Sequence, residues 1–233
     1  MRPAERGWIE RSMSWFAGEF GGEPLAGEVV LPTDDYFPGA YRGTPEDVRA
    51  VLGKLCLQMG VEPGRVELEL YEADENPELA AVVPLNRQSA GAAGHYRRRD
   101  GRAVIAVRDD LPRRPMALVA TIAHELGHVR LLGERRIDPD RRDGEPLTDL
   151  LTIFFGLGIF AANAAHDYWR DGGYTKTARL GYLTEPMYGY GLANYAYLRG
   201  ETDPPWARHL DTNPRTFLNR GLRYLARGDR TVG

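Results

Sequence analysis

The chain has 233 residues, 42 % of them hydrophobic, and a formal net charge of −3. That length supports a substantial core, expected as a single domain over 1–233 with a mixed α/β half (1–110) and a helical half (111–233). Its one cysteine, Cys56, excludes an intramolecular disulfide and a cysteine-rich zinc motif, and its apolar surroundings favour a packed thiol over a nucleophile.

The longest apolar run, residues 150–162, is too short for a membrane span and reads as one buried helix. The first residues, Met1 to Trp8, carry recurring charges and no apolar core of a signal peptide, so a cytoplasmic location is expected. Arginines cluster at 97–99, 113–114, 135–136 and 141–142, but acidic residues are interspersed and the balance is acidic, which argues against a nucleic-acid partner.

In chain order, Trp8 to Phe20 shows a short helical pattern, residues 29–31 suggest a brief strand, and 32–39 is turn chemistry. Thr44, Pro45 and Asp47 open a helix to about Met59. Residues 66–71 alternate as a half-buried strand, while 72–93 show no firm period. Asp100-Gly101 joins two strand-compatible runs into a hairpin. A helix from Met116 stops near Gly133, and Asp143 is a candidate N-cap for the next. Thr184 and Asn213-Pro214 open two later helices, the last closed by Gly228. The architecture expected is α+β, with a small mixed or antiparallel sheet packed on the helix 116–133 and a mainly helical C-terminal half.

That helix contains His124-Glu-Leu-Gly-His128. Four residues advance a helix by about 400°, so both imidazoles project from one face and can share an ion. Glu125, about 100° round the helix, can address a water as general base without being a ligand. Zinc suits this donor set. Glu145 and Asp149 follow on the next helix, i and i+4 on one face, and either carboxylate can complete the site. The other carboxylate can orient an imidazole.

Over Thr121 to Asp149 the chain resembles the gluzincin metallopeptidases, the thermolysin-like zincins, in which HExxH is followed by a helix bearing Glu-x-x-x-Asp. The resemblance implies a zincin-like fold and one Zn²⁺ per chain, with His124, His128 and Glu145 as ligands and Asp149 as the carboxylate bonded to the first histidine. It also implies that residues 103–107, or the neighbouring strand, border the cleft and take an extended peptide along an open edge. The activity expected is zinc-dependent hydrolysis of peptide bonds in a peptide or protein substrate, with Glu125 as general base.

An oxyanion-stabilising group is also wanted. Tyr188, Tyr190, His166 and His209 are candidates, and Tyr188 is chosen. The bland alternative is that Tyr188 lies in the core with Leu192 and Tyr195. Two other functions remain in view. One is a non-catalytic or regulatory metal-binding protein on a zincin fold. The other is an ImmA/IrrE-like peptidase that cuts a dedicated regulator.

Overall fold

The computed structural model describes residues 1–37, 39–72, 93–165, 167–171, 174–178 and 180–228. In chain order the elements are α1 (Pro3–Phe20), α2 (Glu23–Ala26), α3 (Pro45–Gln58), β1 (Val66–Tyr71), β2 (Gly94–Arg99), β3 (Arg102–Arg108) and α4 (Pro115–His128). A π-helical turn, Val129–Gly133, continues α4. Then come α5 (Gly144–Phe154), α6 (Gly158–Ala164), β4 (Asp167–Asp171), β5 (Tyr174–Ala178), α7 (Glu185–Leu198) and α8 (Thr212–Gly228). Mixed α+β structure with a small sheet is therefore observed. Among the described residues no helix is long and apolar enough to cross a membrane.

The chain divides into two compact units, one made of residues 1–36 and 139–233 and the other of 37–138. In the second, three strands lie in the order β1-β3-β2, with β1 parallel and β2 antiparallel to the central β3. The β2–β3 turn has φ of 51° at Asp100 and 80° at Gly101, the pair of positive values that a type I′ hairpin requires. β3 is the fully covered strand, with Val104, Ile105, Ala106 and Val107 all buried. It sits between two half-covered neighbours, as expected for a middle strand.

On one sheet face, Glu67 pairs with Arg99 at 2.6 Å and with Arg102 at 3.2 Å, and Glu69 pairs with Arg97 and Arg99. Such part-exposed pairs contribute little stability each, but they match strands of opposite charge in register. They also account for two arginines of the 97–99 cluster.

Helix α3 begins with the capping box anticipated from sequence: the Asp47 amide donates to Thr44 Oγ1 and the Asp47 carboxylate accepts from the Thr44 amide. Its inner face carries Val48, Leu52, Leu55 and Cys56 into the core against α4, whose Leu118, Ile122 and Leu126 are fully buried. Burial pushes the Cys56 thiol up to about 12, so it is a neutral core group and not a nucleophile.

The other unit is held by α1, α5, α6, α7 and α8. Phe16 and Phe20 of α1 meet Phe154 and Phe155 in an aromatic cluster with centroids 5.3–6.3 Å apart. Two expectations fail here. Residues 29–31 form no strand; Val30 is nevertheless buried, its amide donating to the Gly156 carbonyl at 3.0 Å. The apolar run 150–162 is two helices. Gly156, at φ 79°, ends α5 in a Schellman motif, with Leu157 N–H donating to Thr152 O and Gly156 N–H to Ile153 O, both at 2.9 Å.

Candidate metal centre

Helix α4 holds His124 and His128 one turn apart, their ring centroids 4.8 Å from each other and their planes at 85°. Glu125 between them is only 5 % exposed. Strand β2 runs close beside this turn. A Cβ placed on Gly94 would lie 2.6 Å from Thr121 Cγ2 and 3.1 Å from Glu125 Oε1, so only a residue without a side chain lets the strand approach the Glu125 carboxylate. Two residues on, the Tyr96 ring lies nearly parallel to His128, at 6.2 Å and 18°. The strand bordering the histidines is therefore β2, the edge neighbour of residues 103–107.

Helix α5 carries the two carboxylates. Asp143 precedes it as N-cap but its side chain makes no cap bond; it accepts instead from Arg141 and, at 2.8 Å, from the Trp8 indole. Arg141 holds the Asp143 carboxyl down at about 2. Asp149, 3 % exposed, has one oxygen, Oδ2, taking hydrogen bonds from the Tyr182 amide, the Leu183 amide at 3.2 Å and the Tyr188 hydroxyl at 2.9 Å. Three donors on one oxygen fix its rotamer.

His124, His128 and Glu145, each half-buried, offer one ligand atom apiece, and these atoms all lie within 4.8 Å of one another. This group could hold a metal ion. Two imidazoles and a carboxylate are a donor set that suits zinc.

The proposed role of Tyr188 needs correction. Its side chain is 1 % exposed and its hydroxyl is engaged by Asp149, so it positions that carboxylate and lies in the core, as its spacing with Leu192 and Tyr195 also allowed. Tyr190 donates to Glu10, and His209 Nε2 is bonded by Arg208, so neither is aimed at a reacting group. His166 lies outside the described residues.

Sequence reasoning missed Gly94, Tyr96 and Tyr71. Burial pushes the Tyr71 phenol up to about 12, with Arg108 opposing and the Glu125 charge adding to the rise, so it stays a neutral hydroxyl in the field of the Glu125 carboxylate. Its ring lies 5.7 Å from that of His95, which burial and Arg97 keep below the ordinary histidine range. A glycine opening a strand of two ring side chains and three arginines was the available signal, since an isolated strand glycine marks close backbone approach.

Gly181 completes the Asp149 clamp at φ 84°. A Cβ there would fall 2.1 Å from the Tyr188 hydroxyl and 2.9 Å from Asp149 Oδ2. Gly181→Ala is thus expected to cost about 2–3 kcal/mol by adding left-handed strain to a collision with two bonded groups. Urea denaturation checks this; a midpoint equal to that of the parent protein would show that the clamp is slack.

No protein-family model, no curated protein and no solved structure matches the chain.

Proposed function

We propose that the chain is a zinc-dependent peptidase of the gluzincin kind. The observation that carries this reading is the convergence of His124, His128 and Glu145 beside a buried Glu125 on the same helical turn as the histidines. A closed structural site needs ligands but no general base. His124, His128 and Glu145 would hold the zinc ion, which would supply Lewis acidity and a water acidified towards neutral pH.

The residues of the chain do the rest. Glu125 takes the proton of the attacking water and returns it to the leaving amine as the C–N bond breaks. Its burial, with Gly94 allowing β2 close against it, limits competing water around the carboxylate. Asp149, fixed by Tyr182, Leu183 and Tyr188, lies one turn along α5 from Glu145 and stiffens the helix face that presents the ligand. The edge of β2 offers main-chain donors and acceptors for an extended substrate, since among the described residues no strand pairs with it on that side.

Purified protein is expected to contain close to one zinc per chain by elemental analysis and to cleave unfolded casein. Phenanthroline should abolish the cleavage and added zinc should restore it. Protein that takes up no zinc on dialysis against the metal would end the proposal.

A further inference from the structure

Beside the metal ligands the unit 37–138 contains a hollow of about 300 Å³ that the chemistry above does not use. Its wall includes Tyr96 and Arg98 of β2, Val129 and Glu134 at the π-helical turn, and Glu62 and Arg65 before β1. Two of these residues connect it to the catalytic turn: Tyr96 lies over the His128 ring, and Val129 follows His128 in the chain.

Strand β2 passes α4 in steps of two residues. Gly94 lies at Glu125, Tyr96 at His128, and Arg98 reaches the Gly133 carbonyl at 3.5 Å. Same-face residues of a strand are about 7 Å apart, so the hollow begins roughly two residues along any peptide aligned with β2 from the point opposite His128.

The charges of the wall do not cancel. Glu134 is held by Arg130 at 2.9 Å and by Arg136 at 2.8 Å. Among the described residues Arg65 takes part in no ion pair, and the Arg98 guanidinium makes only its long bond to Gly133. Glu62, exposed, is the one acid on the wall without a cationic partner among the described residues. Two guanidiniums thus face the space against a single uncommitted carboxylate, and guanidinium is the group best shaped to grip another carboxylate.

We propose that this hollow is a specificity site for an acidic side chain of the peptide substrate, about two residues from the bond that is cut. Arg65 and Arg98 take the carboxylate, and the methylenes of the guest lie against Tyr96 and Val129. The assignment rests on the peptidase reading of the neighbouring metal centre.

The test uses the full chain loaded with zinc and carrying Glu125→Gln, so that bound peptide is not consumed. Fluorescein-labelled alanine octapeptides bear a single glutamate, or a single glutamine, at each successive position, and binding is followed by anisotropy at low salt. At one position glutamate is expected to bind about three- to five-fold tighter than glutamine, the range of a part-exposed charge pair. Arg65→Gln with Arg98→Gln should erase the preference, and Arg98→Glu alone should turn it in favour of glutamine. Equal binding of glutamate and glutamine at every position, a preference that survives the double substitution, or no binding of any peptide would each overturn the proposal. Cleavage of the same peptides by the parent chain separates the two readings. Preference without cleavage removes the peptidase assignment alone, and cleavage without preference removes the acidic site alone.

Discussion

Glu125→Gln is expected to leave zinc content unchanged and to slow peptide hydrolysis by about 10²–10⁴-fold, the usual contribution of a positioned general base. The amide keeps the size of the carboxylate, so the close approach of β2 at Gly94 is retained, but it cannot accept a proton. Because Glu125 is outside the ligand group, metal binding should not follow activity downward. Elemental analysis and a quenched-peptide assay on the same preparation decide the matter. Activity equal to that of the parent would strip Glu125 of its chemical role.

Glu145→Ala is expected to weaken zinc binding by more than about 100-fold, since loss of even an outer partner of a ligand costs 10–100-fold. The half-buried carboxylate supplies the only carboxylate oxygen of the cluster, and its removal leaves two imidazoles. Competition with a chromogenic chelator measures the affinity, and circular dichroism confirms that α5 survives. Asp149 is a poor substitute, because its Oδ2 is already held by three donors. Undiminished affinity in the variant would transfer the ligand role to Asp149 after all.

Local features with their own chemistry were legible in the sequence. The capping box at Thr44, the alternation of 66–71, the Asp100-Gly101 turn and the i, i+4 histidines each specify their structure within a few residues, and all appear where the pattern placed them. Long-range placement was not legible. Nothing in residues 94–99 announces that this strand, and not the more apolar 102–108, lies at the edge beside the histidines; pairing order belongs to the whole sheet. Tyr188 has the chemistry of an oxyanion donor, but its neighbour Asp149 is distant in sequence, and only the fold reveals that they are bonded. The stop at Gly156 was concealed by its apolar flanks, because a hydrophobic run gives no sign of where a helix stops when both sides of the stop are buried.

The unit built from both ends of the chain has a consequence for synthesis. Helix α1 buries Ile9, Met13 and Phe16 against α5 and α7, yet α7 ends at Leu198. At about 5–20 residues per second, roughly ten to forty seconds separate the emergence of the first helix from that of its last partner. Through that interval the nascent helix α1 presents an apolar stripe to solvent or to a chaperone, while the compact 37–138 unit has already emerged.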